Sequence, residues 1–200
     1  MPVTVRVVTT RDELAAAAGG DAFARLDPAD RLLGWALGTP GDGSVAYVRT
    51  SARRPPSLTA WGPRVIELLT LLREEGVTRR HDIASISVPF DRRETVAGMF
   101  ALGDGGDWEW MWTSTRPRIM PGEERLVPLD DVADAARIEG FGRAQNPRFE
   151  GFPGTGHSEG WLAALDRDGA LLACGAIQRL PSGVAHLVTR QTEGWSYLHP

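Results

Sequence analysis

The chain contains no lysine, and apart from histidine all 22 of its basic side chains are arginine. Against 26 acidic residues they leave a net charge of −4. That lacks the clustered basic face of a nucleic-acid binder. The arginine pairs at 53–54, 79–80 and 92–93 have acidic residues spread among them and read as solvated helix ends. Cysteine is nearly absent too. The single Cys174 excludes an intramolecular disulfide and a Cys-based zinc site, and its apolar surroundings mark it as a buried, inert thiol. No apolar run approaches the ~20 residues of a membrane span. The N-terminus, MPVTVRVV, lacks the basic start and apolar stretch of a signal peptide. H-x-x-x-H, Walker-loop, G-x-S-x-G and paired-carboxylate patterns are missing as well. The expectation is a cytoplasmic protein with no nucleic-acid or membrane partner and no metal.

What is present is centred on Trp161 to Arg190. Trp161, Ala163 and Leu165 alternate with Leu162, Ala164 and Asp166, and Asp166-Arg167-Asp168-Gly169 is turn chemistry. Ala170 to Ile177 is an apolar run of strand length. Pro181-Ser182-Gly183 turns the chain again, and Val184 to Val188 starts a third strand. So few charges predict a sheet covered on both faces, with Leu171, Ala173, Gly175 and Ile177 toward one layer and Leu172, Cys174 and Ala176 toward the other.

Toward the N-terminus, Val3 to Val8 reads as a strand, and Thr10-Arg11-Asp12-Glu13 fits a capping box opening a helix that Gly19-Gly20 stops. Asp27-Pro28 predicts a second helix, with Leu32, Leu33, Trp35 and Leu37 on its apolar side. Val45 to Thr50 reads as a strand and residues 51–60 as a polar, proline-containing connection. From Gly62-Pro63 a helix follows, with Val65, Leu68, Leu69 and Leu72 at helical spacing and Gly76 at its end. Then come a strand over Ala84 to Phe90, a helix from Asp91, and a strand whose Trp108, Trp110 and Trp112 line one face. That tryptophan face reads as core bridging two halves of the chain, or as a ligand-stacking wall or interface.

The runs W-x-A-x-x-D-x-D-G, L-x-A-C-G-A and S-G-V-A-H-L, at residues 161–187, resemble the central meander of a GNAT-type N-acetyltransferase. Residues 126–156 resemble that family's first strand and two substrate-side helices. The resemblance implies an α/β fold with a mixed, mostly antiparallel sheet and flanking helices, in two GNAT-like halves. These are a degenerate domain over 1–117, a linker over 118–125 and a partial domain over 126–200. It implies transfer of an acetyl group from acetyl-CoA to an amine. The backbone of the meander's last strand, Ala185, His186, Leu187 and Val188, would polarise the thioester. The family's phosphate loop, R/Q-x-x-G-x-G/A opening a helix, is expected next. The chain instead ends in VTRQTEGWSYLHP. Neither Gly62-Pro63-Arg64 nor Gly151 to Gly156 fits that loop, which predicts weak or absent acetyl-CoA binding. His186, Glu150 and Glu139 are the candidate bases, and Asn146, Arg148 and His157 the candidate substrate contacts. The alternatives are a non-catalytic module binding a small molecule or partner through the tryptophan face, and a truncated, inactive product. An uncovered edge at Val184 to Val188 invites self-association.

Overall fold

The computed structural model describes residues 5–38, 43–51, 54–103, 105–147, 149 and 151–192, with side chains to residue 187. It is an α/β protein with two sheets, one mixed and five-stranded, the other antiparallel and four-stranded. The chain divides into two units, Met1–Trp112 and Thr113–Pro200. No described helix is long and apolar enough to cross a membrane.

The first unit opens with strand β1 (Val5–Thr10) and helix α1 (Arg11–Ala17). Thr10 caps α1 as its pattern requires, its hydroxyl accepting from Glu13 N–H while the Glu13 carboxylate accepts from Thr10 N–H. Helix α2 (Ala22–Leu26) follows, capped by Asp21, whose Oδ1 accepts from the N–H groups of Phe23 and Ala24. A three-strand meander comes next: β2 (Arg31–Leu37), β3 (Ser44–Ser51) and β4 (Arg54–Trp61). Helices α3 (Val65–Glu74) and α4 (Val77–Arg80), strand β5 (Ser85–Ser87) and helix α5 (Arg93–Phe100) complete the unit. The sheet order is β1-β2-β3-β4-β5, antiparallel except for the parallel β4–β5 pair.

Three expectations fail here, each for a definable reason. The helix expected after Asp27-Pro28 is strand β2, and Asp27 instead ends α2. Leu32 to Leu37 is apolar on both sides because β2 lies inside a sheet with side chains buried on both faces, and such a run has no period of its own to separate helix from strand. The connection expected over 51–60 contains β4. Pro55 and Pro56 precede Ser57, where pairing with β5 begins, so their missing N–H groups interrupt no rung of that ladder. The tryptophan run is not a strand. Residues 105–112 have no described strand beside them to accept their backbone hydrogen bonds, and alternation alone does not make a strand.

Two cores lie on the two faces of this sheet. On one, Trp35, Leu37, Ala46, Leu58 and Ala60 meet Val65, Leu68, Leu69 and Leu72 of α3 and Val96 of α5. On the other, Val8, Ala36, Val45 and Tyr47 meet Leu14 and Ala17 of α1 and Ala24 of α2. Each fully buried leucine contributes about 1.5–3 kcal/mol.

The second unit consists of β6 (Val127–Leu129), α6 (Ala135–Gln145), β7 (Gly160–Leu165), β8 (Leu171–Arg179) and β9 (Ala185–Thr192). The three strands of the meander stand where the turns place them. Only one of the two expected helices precedes them. Ile138 of α6 and Phe149 cover Trp161, Ala163, Leu171, Cys174 and Ala176. The Phe149 ring fits because its neighbours are glycines: a Cβ at Gly142 would lie 2.5 Å from it and one at Gly151 2.6 Å. The expected burial of both faces is corrected. A bulge beside Leu165 leaves Leu172 as an extra residue, so Leu171 shares a face with Cys174. The opposite face is open, with Leu162 43%, Ile177 39% and Leu187 62% exposed.

Candidate functional site

The first unit contains a place where backbone, aromatic rings and a buried acid come together: the C-terminal end of β4. β5 pairs with β4 only over Ser57, Leu58 and Thr59. Ala60 and Trp61 lie beyond the last rung, and no described strand pairs with them on that side. Gly62 then turns the chain into α3 at φ +114°. Only glycine fits there, because a Cβ would stand 2.0 Å from the Gly43 carbonyl oxygen. Arg64 N–H donates to Ser44 Oγ at 2.9 Å, and Ser44 is buried. The Arg64 guanidinium grips Glu67 with two hydrogen bonds of 2.9 and 2.8 Å. A carboxylate in the first turn of α3 suits the helix dipole and occupies ground an anionic ligand would need.

Beneath this strand end, Tyr47 and Thr59 face each other across β3 and β4. The Tyr47 hydroxyl donates to Asp27 Oδ2, and Arg49 Nη2 donates to Asp27 Oδ1 at 3.0 Å. Burial first, then the Asp27 charge and hydrogen bond, push the Tyr47 hydroxyl well above its ordinary range, so it stays a neutral donor. Asp27 is 2% exposed and is the one buried carboxylate among the described residues. Both its oxygens are engaged.

Above lies a run of rings. Phe23 meets Trp61 edge-on with centroids 5.4 Å apart, and Trp110 edge-on at 5.0 Å. Trp108 is 6.1 Å from Phe23, and Tyr47 is 6.5 Å from Phe23 and 6.2 Å from Trp61. Of the three tryptophans expected on one face, Trp108 and Trp110 join this cluster within their own unit. Trp108 and Trp112 are each 56% exposed.

The residues singled out from sequence lie in the second unit. His186 is half-buried and stands opposite Gln178, whose side chain donates to Ser158 Oγ at 3.4 Å. Ala185 and Leu187 point to the other side of β9 and are exposed. Glu139 is held on α6 by Arg143, Nε to Oε1 2.5 Å. Asn146 ends α6, its N–H donating to the Gly142 carbonyl at 2.8 Å and its own carbonyl accepting from Phe149. His157 is exposed and edge-on to Phe152 at 6.2 Å. Arg148, Glu150 and the Val188 side chain lie outside the described residues.

Sequence reasoning missed Asp27, Tyr47, Phe23 and Asp131. A tyrosine in an apolar strand is a usable signal, because a buried hydroxyl needs a partner; Phe23 was hidden in a short helix with little periodicity. Asp131 accepts from Trp161 Nε1 at 2.8 Å and from Gly156 N–H at 2.9 Å, fixing the loop over 151–156. Among the described residues no group of three or more His, Cys, Asp or Glu is placed to hold a metal ion. No protein-family model, curated protein or solved structure matches the chain.

Proposed function

We propose that the chain is a GNAT-type N-acetyltransferase relative whose first unit, rather than its second, carries the acyl-CoA side of the reaction. One observation carries this reading. The first unit runs strand, two helices, three-strand meander, helix α3, the short helix α4 and a strand parallel to the meander's last member, whose pairing stops at Thr59 and Ser87. Its first strand, two helices, meander and following helix are the element order the sequence resemblance implies, with the turn into that helix at Gly62-Pro63-Arg64. The backbone of Ala60 and Trp61 is then the place for the thioester, in the role first assigned to Ala185, His186, Leu187 and Val188. The phosphate end is poorly served, because Glu67 occupies the first turn of α3.

Calorimetry of the whole chain with acetyl-CoA tests the reading. Saturable binding near ~1 mM, or about −4 kcal/mol, is expected, and Glu67→Gln should tighten it. No saturable heat in either protein overturns it. The second reading, a non-catalytic small-molecule or partner module, is favoured by Asp27, the one buried carboxylate among the described residues, whose two oxygens are already engaged by Tyr47 and Arg49 in a structural contact. Turnover measured with a panel of amines separates the two. Self-association through β9, which has a described strand on one side only, belongs to the same proposal and is tested by sedimentation.

A further inference from the structure

We infer that the ring cluster over β4 receives an aromatic amine, whose ring stacks on Trp108 while its nitrogen points toward the end of β4. This names the acceptor class and rests on the acetyl-transfer reading above. Trp61 ends β4, and a single ring, that of Phe23, separates it from Trp108. The ground between the end of β4 and the exposed face of Trp108 is therefore occupied by π systems: Trp61, Phe23, Trp110 and Trp108. Aromatic rings present negative faces and positive edges, and they select other rings, or a cation carried on one, over saturated groups of equal volume.

Trp108 is left 56% exposed although it is fixed from two sides. Its ring rests on Phe23, and its neighbour Asp107 accepts from Arg93 Nη1 with both carboxylate oxygens, each at 3.1 Å. A large indole held in place and half uncovered is a prepared stacking surface. Trp112 supplies the matched contrast. It is equally exposed, four residues away, and outside the ring contacts that centre on Phe23. Asp27 supplies no counter-charge, because Tyr47 and Arg49 already hold it. Selection therefore falls on the ring rather than on the ammonium.

The test uses the indole N–H resonances of the whole chain, titrated with benzylamine and with cyclohexylmethylamine, its saturated counterpart. Benzylamine is expected to shift the resonance that Trp108→Ala removes, and to do so saturably. Cyclohexylmethylamine should bind about ten-fold more weakly, the upper end of what an aromatic pair adds beyond buried area. Trp108→Ala should weaken benzylamine by a similar factor, and Trp112→Ala should leave it unchanged. Equal binding of the two amines, equal effects of the two substitutions, or no saturable shift overturns the inference. Acetyl-CoA is titrated separately. If it saturates and benzylamine does not, the acceptor class is wrong and the transfer reading stands; the converse result leaves the aromatic site and removes the transfer reading.

Discussion

The sheet of the first unit has helices on both faces, α1 and α2 on one and α3 and α5 on the other. The sheet of the second is covered on one face by α6 and Phe149 and leaves Leu162, Ile177 and Leu187 in contact with solvent on the other. Yet the stretch Leu32 to Leu37 of β2 and the stretch Leu171 to Ile177 of β8 are alike as sequence: leucines, alanine and a glycine, with Trp35 in the one and Cys174 and Ile177 in the other, and no charge in either. Apolar composition says that a strand is able to be covered. What covers it depends on elements far away in the chain.

The largest effects should separate the two sheets. Leu58→Ala, at a position of β4 with no exposure in the core shared with α3, should destabilise the first unit by about 2–5 kcal/mol in urea unfolding. Leu162→Ala, on the open face of the second, should lower stability by less than about 1 kcal/mol. Equal losses would break the contrast and mean that the open face is covered in solution.

Gly62→Ala sharpens the same comparison at the candidate site. The new methyl would meet the Gly43 carbonyl in a backbone conformation that L-residues avoid. A loss of about 1–3 kcal/mol is expected, together with loss of any acetyl-CoA heat. Gly160→Ala, at the start of β7 with open space around it, should change stability little. Unchanged acetyl-CoA binding in a folded Gly62→Ala protein would move the thioester away from the end of β4.

Acid should act on the second unit through Asp131. Burial works to raise this carboxyl, but the N–H groups of Gly156, Trp161, Gly154 and Thr155 outweigh it and hold it below its ordinary 3.8. A carboxyl depressed in the folded state adds stability that is complete above its ordinary value and is lost as pH falls through the lower folded one. The second unit should therefore lose this contribution below about pH 4. Asp131→Ala should cost about 1–3 kcal/mol at neutral pH by stranding the Trp161 indole N–H, and should flatten the acid limb. An unchanged limb would assign the acid sensitivity elsewhere.

Legibility followed the locality of the cause. The Thr10 capping box, α3 and the turns at Gly169 and Gly183 were readable because each is decided within a few residues. The division of the chain was placed at a linker over 118–125 because polar, proline-containing sequence shows there; the structure divides it after Trp112. Strand β2 was misread because its burial on both faces erases the alternation that marks a strand. The tryptophan run misled in the opposite sense, since its alternation is perfect but no described strand lies beside it. The site suffered most. Asp27 looked like a helix start because Asp-Pro usually is one, and only the fold brings it under Tyr47, twenty residues on.

The smallest expected effect is also the cleanest discriminator for the second sheet. Ile177→Thr places a hydroxyl on the open face, where water already reaches, and keeps the β-branched shape that strands favour. Its stability change should stay within about 0.5 kcal/mol. Cys174 reports on the covered face from three residues away. The residue is 3% exposed, and burial pushes the thiol pKa up to about 11, so in the native chain near pH 8 it is both hidden and protonated. Labelling must then wait for β8 to open, and its rate follows the stability of the second unit. Ile177→Thr should leave that rate within about two-fold of the parent, the factor that 0.5 kcal/mol allows. Asp131→Ala should raise it about five-fold or more, as a loss of about 1 kcal/mol or more requires. A large acceleration by Ile177→Thr would mean that Ile177 is packed against something in solution and that the second sheet, like the first, is covered on both faces.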